Sequence, residues 1–196
     1  MRILVVGGAG YIGSHVTKSL LEAGHQPVVV DNLQTGKAEN LSPGVPFVHA
    51  DLRIPETLQG VLNGCEGLFH LAALKAAGDS MNQPDKYANH NISGTIQLLN
   101  AATESDVRYV IFSSTAAVYG NPQYIPMDEE HPTKPSNFYG YTKLAIEELL
   151  GWYAQLKGVR FASLRYFNAA GYDIDGKIKG LESEPNNLLP IVMEAV

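Results

Sequence analysis

Two periodicities alternate along this chain of 196 residues. Short apolar runs rich in β-branched residues recur at Ile3–Val6, Pro27–Val30, Phe47–Ala50, Gly67–Leu71, Tyr109–Ser113 and Arg160–Tyr166, and each reads as a strand. Ile3-Leu4-Val5-Val6 carries no polar position at all, the mark of a strand covered on both faces of a parallel sheet. Between these runs, helices are expected near Ile12–Ala23, Pro55–Leu62, Pro84–Thr103 and Tyr139–Leu156. The first of them is apolar at Ile12, Val16, Leu20 and Ala23, close to the helical period. Strands alternating with helices predict an α/β protein, a doubly wound parallel sheet with helices on both faces. Ligands of such sheets sit at the carboxyl ends of the strands. There is no internal repeat, low-complexity tract or clear linker.

The first strand runs straight into Gly7-Gly8-Ala9-Gly10-Tyr11-Ile12-Gly13, and a helix follows at once. That context turns a common glycine pattern into a specific one. Gly8 is expected to permit the tight turn, Gly10 to let the backbone approach a pyrophosphate, and Gly13 to let helix and strand pack closely. The helix N-terminus offers free N–H groups and partial positive charge to phosphates. The second strand ends in Asp31, near the position expected of a carboxylate that grips the adenosine ribose. Such a group accepts from a 2′-hydroxyl and repels a 2′-phosphate. Asn32, Leu33 and Gln34 bring no arginine to offset that repulsion, so NAD is expected over NADP. Asp51, after the third strand, is placed either to reach the adenine edge or to cap its own loop.

Composition narrows the picture in a few places. With 45% apolar residues the chain can bury the core of one domain or slightly more. A net charge of −6 without a basic stripe argues against nucleic acid. The one cysteine, Cys65, forms no intramolecular disulfide and suits a reducing compartment. No apolar run approaches 18 residues, and the N-terminal apolar stretch is too short for a signal peptide, so a cytoplasmic location is expected. The histidines show no metal-ligand spacing, and no G-x-S-x-G elbow is present, so neither a metal site nor a serine hydrolase is expected.

The second group of chemical interest is Tyr139-Gly140-Tyr141-Thr142-Lys143. Tyr139 and Lys143 are four apart and share a helix face, whereas Tyr141 points elsewhere. A phenol that acts as a base near neutral pH needs its pKa lowered by about 3 units, roughly 4 kcal/mol of preferential phenolate stabilisation. Lys143 and an oxidised nicotinamide could supply it together. Thr115, in Ser113-Ser114-Thr115 at a strand end, offers a hydroxyl to the oxygen being oxidised, and Ser114 competes for that role.

With these residues in place, the chain resembles the extended short-chain dehydrogenases/reductases. The resemblance is carried by Gly7–Gly13, Asp31-Asn32-Leu33, Asp51-Leu52, Leu71–Ala76, Ser113–Gly120, Tyr139–Lys143 and Leu164–Asn168. Leu74–Ser80 and Pro185–Pro190 are similar to the UDP-glucose 4-epimerase family within that superfamily. The resemblance implies an NAD-binding Rossmann domain over residues 1–170 and the start of a UDP-sugar-binding region over 171–196. It also implies an NAD-dependent epimerase that interconverts UDP-glucose and UDP-galactose through a 4-keto sugar, with Tyr139 as base, Lys143 tuning it and Thr115 on O4.

The cofactor set implied is Gly7, Gly10, Tyr11, Ile12, Gly13, Asp31, Asn32, Leu33, Gln34, Thr35, Gly36, Asp51, Leu52, Leu71, Ala72, Ala73, Leu74, Lys75, His90, Asn91, Ser113, Ser114, Tyr139, Lys143 and Phe167. Thr115, Tyr139, Asn168 and Asn187 are implied at the UDP-sugar, and a homodimer is implied as the assembly. His90 departs from the paired asparagines of the family. Ala116 and Ala117 stand where the related dehydratases carry an Asp-Glu pair, so elimination of water is not expected. Family members run well beyond 300 residues, so the expectation is that this chain covers the cofactor half and the edge of the substrate half. Two other readings remain: an NAD-binding fragment with little turnover, or a nucleotide-sugar reductase.

Overall fold

The computed structural model describes residues 1–105 and 107–178. Six strands, β1 (Arg2–Val6), β2 (Gln26–Asp31), β3 (Phe47–His49), β4 (Gly67–His70), β5 (Tyr109–Thr115) and β6 (Arg160–Tyr166), form one parallel sheet in the order β3-β2-β1-β4-β5-β6. Chain order reverses between β1 and β4. Their paired ends, Val6 and His70, therefore open a crevice at the carboxyl edge of the sheet.

The side-chain period of two divides β1 between two cores. Leu4 and Val6 join Val28, Val30, Leu68, Val110 and Phe112 on one face. Ile3 and Val5 join Val29 and Leu20 on the other. Leu20 comes from α1 (Tyr11–Glu22), which covers that second face. The first face is covered by α4 (Gly94–Thr103) and α5 (Phe138–Lys157), through Leu98, Leu99, Ala102, Ile146 and Leu150. β6 lies at the sheet edge, and Phe161 and Leu164 are exposed along it.

Three stretches depart from the expected elements. Pro55–Leu62 is only a 3₁₀ turn over Pro55–Leu58, because Gly60 and Gly64 both adopt left-handed backbone and convert the rest into turns. The apolar positions still reach the core through Leu58, Val61 and Leu62. A short helix that the periodicity did not predict, α2 (Ala77–Asn82), precedes α3 (Pro84–Tyr87). The expected helix Pro84–Thr103 is built in three pieces: α3, a π-helical segment over Ala88–Ser93, and α4.

The start of α5 explains the position of Tyr139. Asn137 caps it by accepting from Gly140 N at 2.8 Å. Ser80 Oγ of α2 accepts from Tyr139 N at 3.0 Å, and Met81 Sδ accepts from Phe138 N at 3.4 Å. Groups that would otherwise be orphaned at a helix start are thus satisfied by α2, which docks there. Gly158 ends the helix in the left-handed conformation.

Candidate active site

β1 turns into α1 over Gly7, whose φ of +84° is the left-handed value an L side chain resists. The tight turn therefore rests on Gly7 rather than on Gly8. Gly8 serves packing instead, because a Cβ there would lie 2.6 Å from Val29 Cγ1 of β2. At Gly13 a Cβ would meet Gly7 O at 2.1 Å, so the helix seats against the turn only with glycine. Gly10 opens α1 with no side-chain cap, which leaves the helix start turned toward a cleft of 390 Å³.

That cleft gathers most of the residues expected at a cofactor. Gly7, Gly10, Tyr11, Ile12 and Gly13 line it from the turn, and Asp31, Asn32, Gln34 and Thr35 from the end of β2. Asp51 and Leu52 line it after β3, Leu71 to Lys75 after β4, and His90 from the π segment. Leu33, Gly36, Asn91, Ser113, Ser114, Tyr139 and Lys143 do not form its wall. Phe167 and Asn168 are exposed just past β6, and Asn187 lies outside the described residues.

The Asp31 carboxylate accepts from Ala9 N at 3.0 Å and Leu33 N at 2.8 Å, which aims it at the cleft. Burial raises its pKa against the pull of those N–H groups. Asp51 closes its own loop, accepting from Arg53 N and Nε and from Asn32 Nδ2. The Arg53 guanidinium holds its carboxyl well below the usual carboxylate range. Sequence reasoning missed Arg53, although its place two residues after Asp51 was a usable signal. Arg53 also lines the cleft and donates from Nη1 to His90 Nε2 at 2.8 Å. Burial, and then Arg53, push the His90 pKa down.

Asn91 owes its place to the wide π turn. It is 1% exposed and holds Leu74 by both backbone groups, with Leu74 N to Oδ1 at 2.9 Å and Nδ2 to Leu74 O at 3.1 Å. Its Nδ2 also reaches Thr142 Oγ1 on α5 at 3.1 Å. Asn91 thus pins the strip Leu71–Lys75 to the helix that carries Tyr139.

Tyr139, Lys143 and Thr115 converge at the end of β5. The Thr115 side chain lies close to the Tyr139 phenol and pulls its pKa down, while burial pushes it up more strongly. Lys143 is buried, with Nζ donating to Ser113 O at 2.7 Å and lying 6.0 Å from the centre of the Tyr139 ring. Burial lowers the Lys143 pKa to about 7. Of the two hydroxyls, Ser114 Oγ donates to Glu147, whereas the Thr115 side chain lies near the phenol. Tyr141 is half exposed and packs on Phe138, away from this group.

A parallel sheet in this order, with an uncapped glycine turn at its switch point and a Tyr-x-x-x-Lys pair beside it, defines the class of doubly wound dinucleotide-site proteins. The chain belongs to the NAD dependent epimerase/dehydratase family, whose model matches residues 3–196. It is 46% identical to a UDP-glucose 4-epimerase of Halalkalibacterium halodurans, over 99% of this chain and 58% of that protein. A crystal structure of a UDP-glucose 4-epimerase superposes with a TM-score of 0.96 at 43% identity, covering 100% of this chain and 60% of that one. The Brucella ovis UDP-glucose 4-epimerase in complex with NAD superposes with a TM-score of 0.95 at 40% identity, over 99% and 60%. The chain therefore spans about three fifths of the length of these relatives.

Proposed function

We propose that this chain carries the cofactor half and the reacting groups of an NAD-dependent UDP-glucose 4-epimerase. The observation that carries the reading is the convergence of Thr115, Tyr139 and Lys143 beside a cleft that opens on an uncapped helix start. The glycine cradle fits the group, because the Gly7–Gly13 contact holds the α1 terminus against the cleft. Asp31 grips the adenosine ribose, with both oxygens already oriented by Ala9 and Leu33. Asp51, held by Arg53, borders the adenine. Once bound, NAD would supply the hydride acceptor and donor for C4 of the sugar.

The chain's own groups handle the proton. Tyr139 accepts it from the 4-hydroxyl, and Thr115, which faces the phenol when the site is empty, donates its single hydroxyl proton to that same oxygen. Burial alone opposes ionisation of Tyr139, so cationic charge is needed, and Lys143 provides it once protonated. Ala116 and Ala117 bring no acid or base to C5–C6, which separates epimerisation from dehydration. Residues 1–170 form the cofactor domain in this reading, and 171–196 begin the UDP-sugar region with Asn168 and Asn187 at the substrate. A homodimer is supported by an apolar stripe on the outer face of α5, where Tyr141, Trp152 and Leu156 are exposed one or more turns apart. Sedimentation at micromolar concentration tests that assembly. A cytoplasmic site agrees with the free Cys65.

The deciding experiment is conversion of UDP-galactose without added NAD, because an epimerase restores its cofactor and a reductase consumes it. Tyr139→Phe, placed in a full-length protein if this chain proves inactive, is expected to lose at least about 10²-fold in kcat with NAD binding within a few fold of the parent. Tyr141→Phe is expected to be nearly silent. Damage from Tyr141→Phe equal to that from Tyr139→Phe refutes the assignment of the base.

A further inference from the structure

Three successive turns of α5 are tied to three successive residues of β5. Tyr139 meets the side chain of Thr115, Lys143 donates to the carbonyl of Ser113, and Glu147 accepts from the hydroxyl of Ser114. Residues four apart share a helix face, so the sequence delivers all three to one edge of the strand. The first two contacts belong to the reacting group. The third is buried away from the cleft, and none of Glu147, Arg165 and Tyr119 lines the cleft wall.

Glu147 is also the acceptor for Arg165, with Nε at 3.1 Å and Nη2 at 2.7 Å. Such a two-pronged pair fixes orientation as well as distance. Arg165 stands directly opposite Ser114 in the β5–β6 register. Its Nη1 donates to Tyr119 OH at 3.1 Å, and its guanidinium lies 4.9 Å from the centre of that ring. Tyr119 comes immediately after the 3₁₀ turn Ala116–Val118 that follows Thr115. One guanidinium and one carboxylate therefore hold the residue before Thr115 and the residue that ends the turn after it. The pair is mostly enclosed, with side chains 10% exposed at Glu147 and 23% at Arg165. A buried ion pair often adds little net stability over an apolar replacement, so what it secures is geometry.

We propose that Glu147 and Arg165 are positioning residues that hold the Thr115 hydroxyl against the Tyr139 phenol by clamping the side chains of Ser114 and Tyr119 on either side of Thr115. This rests on the proposed role of Tyr139. Among the described residues, the charged and titratable groups facing Tyr139 are Lys143 on its own helix and Tyr87 from α3, and the clamp touches neither. Loosening it lets the Thr115 hydroxyl drift from the phenol and leaves those two in place.

The test is the ionisation of Tyr139, read as ultraviolet absorbance of the phenolate and taken as the difference between each protein and its Tyr139→Phe counterpart. It is made on the cofactor-free chain and repeated with saturating NAD. Glu147→Gln is expected to raise the titration midpoint by about one unit, as loss of a donor to the phenolate dictates. Ser114→Ala keeps the ion pair, cuts only the tether, and is expected to raise the midpoint in the same direction if Glu147→Gln folds poorly. Glu147→Asp is expected to recover part of the shift. Where turnover is measured, kcat is expected to fall by about tenfold or more at unchanged KM, with its acid limb moved upward, because small misplacements of a reacting group are costly. A lower melting temperature with the Tyr139 midpoint unmoved in both Glu147→Gln and Ser114→Ala overturns the proposal and leaves the pair structural. Absence of NAD binding in the parent strikes instead at the proposed function, because the cofactor-free titration decides the clamp separately.

Discussion

Replacing Lys143 by methionine measures what the reacting group costs the fold. Lys143 is 1% exposed, with Nζ bonded to Ser113 O at 2.7 Å and 4.7 Å from the centre of the Phe112 ring. Without cofactor, burial takes its pKa from 10.5 to about 7. A lysine whose folded pKa is lowered binds fewer protons than the unfolded chain between those two values. Stability therefore rises with pH across that window and is least below it. The gap of 10.5 − 7 = 3.5 amounts to about 5 kcal/mol below pH 7 and to about 1 kcal/mol near pH 10. Methionine keeps most of the volume and forfeits the bond to the Ser113 carbonyl, about 1–2 kcal/mol. Lys143→Met is therefore expected to stabilise the cofactor-free chain by about 3 kcal/mol near pH 6 and to be close to neutral near pH 10. For a chain of this size, that is a rise in Tm of about 6–12 °C at the lower pH. Urea unfolding followed by far-ultraviolet circular dichroism at both pH values gives the answer. A variant less stable than the parent near pH 6, or an offset identical at the two pH values, refutes the reasoning that Lys143 is an uncompensated buried amine.

Two further outcomes follow from the cleft. Gly13→Ala places a Cβ 2.1 Å from Gly7 O, so α1 must back away from the turn; a loss of about 2 kcal/mol or more in unfolding free energy and weaker NAD binding by calorimetry are expected. Unchanged stability there refutes the close seating of the helix. Asp31→Ala is expected to narrow a preference for NAD over NADP that is at least about tenfold, roughly 1.4 kcal/mol, in the parent. Equal affinity of the parent for the two cofactors removes the basis for that assignment.

What was legible in the sequence follows the range of the interactions responsible. The central strands have unbroken apolar runs, and their positions emerged within a residue or two because burial on both faces leaves little freedom in composition. The glycine turn was legible as a motif, but its division of labour was not. Only three-dimensional proximity to Val29 and to the end of β4 shows that Gly8 packs while Gly7 turns. The failed helix at Pro55–Leu62 shows apolar spacing overruled by Gly60 and Gly64, whose left-handed backbone ends the coil. α2 is too short to display a period, and its stability comes from capping α5 through Ser80 and Met81, contacts nearly sixty residues distant. Arg53 was within reach of a local argument. Arg165, eighteen residues beyond Glu147, was not, because the register of β5 against β6 is what brings them together.

The π-helical segment at Ala88–Ser93 joins two surfaces that must face different ways. Upstream, Lys86 and Tyr87 border the cleft, joined by His90 within the segment; downstream, Leu98, Leu99 and Ala102 are sealed in the core. Each residue of an ordinary helix advances the direction of its side chain by about 100°. A wide turn admits an extra residue and so resets the phase between the two halves. Removing one residue here, if the coil tightened to an ordinary helix, would rotate one half against the other by about 100°. Either the cleft wall or the core contacts would then be lost, and Asn91 would release Leu74. The tolerance of this stretch is therefore set by its count as well as by the identity of His90 and Asn91, and its length has no latitude.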